Sequence, residues 1–164
     1  MTAGLIAELE QESAATRLML ERVPAGRLEW RPHAKSLTLG QLALHVAQVP
    51  GGVAEALARD EVEAPDFDEF PTPASREEIL EAYAESLEKA KQILSELDDA
   101  SLTGEWRMVR EGETLLEMPR LASVRAILLN HWYHHRGQLS VYLRLLDVAL
   151  PSVYGPTADE NPFG

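Results

Sequence analysis

The stretch 130–139, Asn-His-Trp-Tyr-His-His-Arg-Gly-Gln-Leu, constrains this chain more than any other. It sits inside a run in which Leu121, Val124, Leu128, His131, His135, Leu139, Tyr142 and Leu146 recur at spacings of three and four. That period is the stripe of a helix face turned to a core. Two members of the stripe are histidines one turn apart. Positions i and i+4 are stacked neighbours on a helix, so both imidazoles can reach one metal ion. The pair is half a site and needs a third ligand. A single core-facing histidine is usually a hydrogen-bonded structural residue, so the pair by itself favours that bland reading and leaves the metal site open. The His-Glu-x-x-His pattern of zinc proteases is excluded, because Trp132 occupies the glutamate slot. A carboxylate di-iron bundle needs Glu-x-x-His, and Leu128 stands where that glutamate belongs. What remains is a histidine-dominated mononuclear site.

The rest of the chain is mostly helical in pattern. A first helix is expected from about Thr2 to Val23, stopped by Pro24 and Gly26, with the stripe Leu5, Leu9, Ser13, Thr16, Leu20 and Val23. Ser13 and Thr16 interrupt that seam, either to let helices approach closely or because they face a polar cavity. Trp30 reads as a packing anchor in the following loop, and His33 as an exposed loop residue. Thr38-Leu39-Gly40-Gln41 is a capping box opening a second helix, with Leu37 and Leu42 as the accompanying hydrophobic staple. Its stripe is Leu42, His45 and Val49, which makes His45 the natural third ligand. Pro50 removes the backbone bond to the Val46 carbonyl, so Pro50-Gly51-Gly52 is expected to kink or break this helix just beyond the histidine.

Phe67 and Phe70 are placed to pin the acidic, proline-containing loop that follows. Ser75-Arg76-Glu77-Glu78 is a second capping box, opening a third helix with the stripe Ile79, Tyr83, Leu87, Ala90, Leu94 and Leu97. From Leu102 to Met118 the period is lost, and the Glu111-Gly112 turn signal suggests an irregular hairpin or extended crossover. Pro119 suits the first position of the last helix, which should end near Asp147. The chain is therefore expected to be all-α, one domain over residues 1–164. It is a four-helix bundle with a crossing connection and an irregular segment or small hairpin before the last helix.

Composition bounds the function. With no cysteine, disulfides, thiolate ligands and a cysteine nucleophile are ruled out. The net charge of −12, with 27 acidic against 15 basic residues, argues against a nucleic-acid partner, since phosphate binding needs a surface lined with Lys and Arg. The N-terminal residues lack a basic region followed by an apolar run, and no apolar stretch approaches the ~20 residues that span a bilayer. A cytoplasmic protein without a membrane segment is the expectation.

Taken together, His45, the His131-x-x-x-His135-Arg136-Gly137-Gln138-Leu139 run, and the ending through Pro151 and 154–160 resemble the DinB-like superfamily of metal-binding four-helix bundles. The resemblance covers nearly the whole chain. It implies a divalent metal, often nickel or zinc, held by His45, His131 and His135 in an open cavity, and frequent homodimers. Some relatives use such a metal to activate a low-molecular-weight thiol for S-transfer or isomerisation, and others are regarded as hydrolases. The expected function is thus a metal-dependent transferase or isomerase acting with a small thiol on a small electrophile. A metal-dependent hydrolase and a non-catalytic metal- or ligand-binding homodimer are the alternatives. Among carboxylates, only Glu12 lies near a core seam at mid-height.

Smaller expectations attach to neighbouring residues. Gln138 lies near the ligand face and is placed either to bond a ligand or to bond backbone. Gln41 and Gln48 flank His45 and are candidates to orient its ring. His134 is rotated off the ligand face. Arg136 is expected to pair with Asp159 or Glu160, and Gly137 to pack closely against another helix. Trp132, Tyr133, Leu143 and Leu129 are more apolar surface than one bundle face requires, which suggests a homodimer through this helix or its neighbour.

Overall fold

The computed structural model describes residues 1–66 and 70–164. Among them, four long helical runs carry the fold: α1 (Thr2–Glu21), α2 (Leu39–Leu57), α3 (Arg76–Glu96) and a last run ending in α6 (His131–Leu145). Between the third and fourth lie the short helix α4 (Asp99–Thr103), strand β2 (Glu105–Arg110) and strand β3 (Glu113–Pro119). A short strand β1 (Glu61–Glu63) follows α2 and pairs parallel with β2, which pairs antiparallel with β3. The all-α bundle with a small hairpin before its last helix is what the structure shows. The added strand β1 carries too little pattern in three residues to be read from sequence.

Around the bundle, α3 packs against α1 and α2, and α6 against α2 and α1. The consecutive helices α1 and α2 therefore lie across a diagonal, so the connections must cross. The hairpin turn follows from Glu111 and Gly112, both at positive φ (52° and 84°), the combination that a tight two-residue turn requires. Arg120, just after the hairpin, is buried and donates to the carbonyls of Ser101 and Arg59 and to the Asp60 carboxylate. It fastens the sheet to the end of α2.

Helix boundaries follow the chemistry of their caps. At α2 both arms of the capping box form, Thr38 N–H to Gln41 Oε1 at 3.0 Å and Gln41 N–H to Thr38 Oγ1 at 3.1 Å. At α3 only one arm lands as expected: Ser75 Oγ accepts from Glu78 N–H, while the Glu78 carboxylate takes the N–H of Ala74. Pro119 closes β3 and caps the helix that begins at Arg120, one residue before its expected place.

Pro50 does not break α2, which runs unbroken to Leu57. The reason is that the backbone groups around it find side-chain partners. Trp132 Nε1 donates to the Val46 carbonyl at 2.9 Å, and Ser86 Oγ accepts from Gly51 N–H at 2.8 Å while donating to the Gln48 carbonyl at 3.1 Å. Such substitution is how a helix keeps a proline. A Cβ at Gly51 would come within 2.8 Å of the Ser86 backbone, so α2 and α3 touch here only because residue 51 is glycine.

The last run departs from one constant phase. It opens as α5 (Arg120–Ser123), passes through a π-helical stretch (Val124–Asn130) and resumes as α6. A π turn holds one residue more than an α turn. The buried set accordingly jumps by one, from Val124 and Leu128 to Leu129, Trp132, Arg136, Leu139 and Leu143. His131, His135 and Tyr142 are thereby displaced to the flank of the buried stripe and are half-buried. The same shift overturns the argument for a dimer face: Leu129, Trp132 and Leu143 are fully buried inside the bundle.

Candidate metal centre

His45 sits two turns into α2; His131 opens α6, and His135 follows one turn later. The structure brings the three together. One nitrogen from each ring lies within 4.8 Å of the others. The His45 centroid is 5.3 Å from His131 and 4.5 Å from His135, and the two α6 rings are 4.5 Å apart.

Hydrogen bonds set the orientation of two of the rings. His131 Nδ1 lies 3.2 Å from the Ile127 carbonyl, which can only accept, so Nδ1 carries the proton and Nε2 an open lone pair. His135 Nδ1 lies 2.7 Å from Gln138 Oε1, which assigns the same tautomer. The two Nε2 atoms then stand 2.7 Å apart. Two lone pairs at that separation repel, and a cation shared between them relieves the repulsion. Imidazoles with Nδ1 bonded to a carbonyl or amide and Nε2 turned to a common point are the usual donor set for a transition metal. These residues fit the group.

Burial, then the neighbouring His135 and His131 rings, bring His45 down to about 4. Burial also lowers His131 and His135, with the Ile127 and Gln138 hydrogen bonds opposing it. All three are therefore neutral near pH 7, the form that binds metal.

The three histidines line one end of a cavity of about 790 Å³. Leu44, Val49 and Val53 of α2 form one wall, and Val62, Trp106 and Met108 of the sheet form another. Trp106 is fixed there by its Nε1 bond to the Ala56 carbonyl at 3.2 Å. The Phe70 ring stands edge-on to His45, with centroids 5.4 Å apart. Glu55, Arg59, Glu63 and Asp66 add polar groups to the lining. A metal held by these three histidines beside an open cavity would keep coordination positions free, unlike the closed four-ligand geometry of structural sites.

Other sequence-read residues fall out differently. Gln138 bonds a candidate ligand, as noted. His134 is exposed, off the cluster. Gln41 donates not to His45 but to the Phe70 carbonyl, at 3.0 Å, and so holds the ring that covers His45. Gln48 is exposed and also lines the cavity. Phe67, expected to pin the loop, lies outside the described residues. Gly137 is exposed with open space where a Cβ would go, so close packing does not explain it.

Arg136 is the largest correction. It is buried and pairs not with Asp159 or Glu160 but with Glu12, at 2.6 Å, also donating to the Glu12 carbonyl, Thr16 Oγ1 and Tyr154 Oη. Asp159 and Glu160 pair with Arg144 and Arg22 instead. The π-turn shift explains this, since it turns residue 136 inward. Glu12 is thus held by Arg136 and Tyr154, and the polar break in the first helix is Thr16 joining this network. Sequence reasoning missed the sheet wall and the Trp132–Val46 bond. The orphaned Val46 carbonyl was the available signal for the second.

A four-helix bundle with a histidine cluster lining an open cavity defines a class, that of helical bundles with three imidazoles that could hold a metal ion. The model of the DinB family matches residues 2–161, and the chain belongs to that family. It is 28% identical over 153 residues to the uncharacterized protein YrdA of Bacillus subtilis, covering 92% of this chain and 86% of that one. A DinB-like protein from Bacillus cereus superposes with a TM-score of 0.72 at 26% identity, over 93% of this chain and 97% of that one. The DinB-like YjoA of Bacillus subtilis superposes with a TM-score of 0.71, over 92% and 96% of the two chains; its 19% identity speaks for the fold alone.

Proposed function

We propose that His45, His131 and His135 hold one divalent transition metal, nickel or zinc, and that the protein uses it to activate a small thiol for S-transfer or isomerisation. The observation that carries the reading is the pair of Nε2 atoms facing each other at 2.7 Å beside an open, largely apolar cavity. Such an ion supplies Lewis acidity to whatever enters its free coordination positions, lowering the pKa of a thiol or a water. The protein's own part is to fix the three rings, to offer an apolar chamber for a small electrophile, and to limit water. Glu12, the one core carboxylate visible in sequence, is locked to Arg136, which suits a thiol better than a water needing a base.

A hydrolase is favoured by one observation, the carboxylates of Glu55, Glu63 and Asp66 in the same cavity lining. Glu63, however, accepts the Glu111 N–H, and Glu55 pairs with Lys89. The experiment that separates the classes is thiol titration of the cobalt(II)-loaded protein. The chain has no cysteine, so a saturable thiolate-to-metal charge-transfer band comes only from the added thiol. Its absence at millimolar thiol rules out the thiol route, and turnover of esters or amides without it supports the hydrolase. Neither response leaves a metal- or ligand-binding bundle.

The homodimer is retained as a proposal on other residues, the exposed apolar Val141 and Leu145 of α6 and Leu18 of α1. Among the described residues, no helix is long and apolar enough to cross a membrane.

A further inference from the structure

Pro50 and Trp132 belong to no part of the proposed chemistry, yet both act on one carbonyl, that of Val46, beside His45 in the chain. Pro50 has no N–H, so the Val46 carbonyl one turn back loses its helical donor. Trp132 Nε1 fills that place from the neighbouring helix at 2.9 Å, and both Val46 and Trp132 are fully buried. Val46 is the residue after His45, and Trp132 the residue after His131. One hydrogen bond therefore joins the immediate chain neighbours of two candidate ligands that stand on different helices. The indole has a single donor and is fixed by close packing, with the Tyr83 ring 6.4 Å away. The preceding π-helical stretch puts Trp132 in the buried stripe and leaves His131 beside it on the cavity flank.

We infer that Trp132 is a positioning residue for the histidine cluster: through the Val46 carbonyl freed by Pro50, it sets the rotation of α6 against α2 and so where His131 and His135 stand relative to His45. This rests on the metal-centre reading, and it adds a cause for the geometry. A proline at position 50 is then part of the site. It frees an acceptor that a side chain from the facing helix uses.

The test compares wild type, Trp132→Phe and the double variant Pro50→Ala/Trp132→Phe by cobalt(II) titration and thermal unfolding. Trp132→Phe keeps an aromatic ring in the core but removes the donor. Its cobalt affinity should fall by about 10- to 100-fold, the range for losing a group that orients a ligand, with a changed d–d spectrum and lower thermal stability. In the double variant, Pro50→Ala restores a backbone N–H that takes the Val46 carbonyl, so stability should return while affinity stays low. Affinity that recovers along with stability overturns the inference and leaves Trp132 a core filler, as does wild-type affinity in Trp132→Phe. Should Trp132→Phe fail to fold, the double variant carries the comparison with wild type. Should wild type take up no cobalt, the metal reading fails separately. The inference is then read from the apo-protein's histidine ring ¹⁵N shifts, where Trp132→Phe must move His131 and His135 but not the exposed loop residue His33; unchanged shifts overturn it.

Discussion

At the scale of single residues, the site is three neutral imidazoles and one amide. His131→Ala and His135→Ala are each expected to abolish stoichiometric metal uptake, measured by elemental analysis after dialysis, and His134→Ala to retain it. Full occupancy in either ligand variant would sink the site. Gln138→Ala removes the acceptor that assigns the His135 tautomer, so its metal affinity should drop by about tenfold or more. The apo-protein should also show a histidine signature in its pH stability. A ring at about 4 when folded and 6.5 in its ordinary state takes up a proton first in the unfolded chain. Stability is then fully present above 6.5 and is lost as pH falls from there toward 4. The fall in melting temperature from pH 7 to pH 4.5 should be smaller in His45→Ala than in wild type, and an equal fall would contradict the shift.

At the scale of elements, two contacts decide how helices meet. Gly51 lets α2 lie on α3 with the Ser86 backbone where a side chain would otherwise be. Gly51→Ala therefore forces the two helices apart, and its cost is expected at about 1–3 kcal/mol, the range for overpacking, read by urea unfolding. On the other side of the bundle, Arg136 of α6 is stacked between the Tyr133 and Tyr154 rings and bonded to Glu12 of α1. Tyr154 brings the C-terminal segment into the same knot, with the Arg22–Glu160 and Arg144–Asp159 pairs beside it. Arg136→Met leaves a buried carboxylate without its cation and should cost about 3–5 kcal/mol. The double change Glu12→Leu/Arg136→Met should cost far less, because a buried ion pair replaced by apolar groups is often close to neutral. Equal costs for the single and double variants, read by urea unfolding, would contradict this account of the pair.

At the scale of the whole molecule, the bundle and the small sheet divide the work. Two helices bring the three histidines together, and the sheet, fastened by Arg120 and Trp106, forms a wall of the chamber beside them. Light scattering at micromolar concentration is expected to give a dimer mass that falls to a monomer in Val141→Lys/Leu145→Lys. A wild-type monomer would end the dimer proposal.

The sequence by itself determined what depends on near neighbours along the chain. The capping box at Thr38, the Glu111-Gly112 turn and the i,i+4 spacing of His131 and His135 are local and were legible, as were the stripes of α1 and α3 except at Ser13 and Leu87, whose buried places Glu12 and Ser86 take. His45 was legible too, because two turns of helix from a clear cap leave little freedom in phase. Tertiary structure alone decided what depends on contacts between distant segments. Pro50 signalled a broken helix until Trp132 and Ser86, from two other helices, supplied the missing partners. The π-helical stretch added one residue to a turn, and no local propensity marks it. That single residue sent Trp132 and Arg136 into the core and the histidines to the cavity flank. A backbone adopts a wider turn only when packing against neighbouring helices outweighs the lost α-helical geometry, and that balance is set by partners far away in sequence.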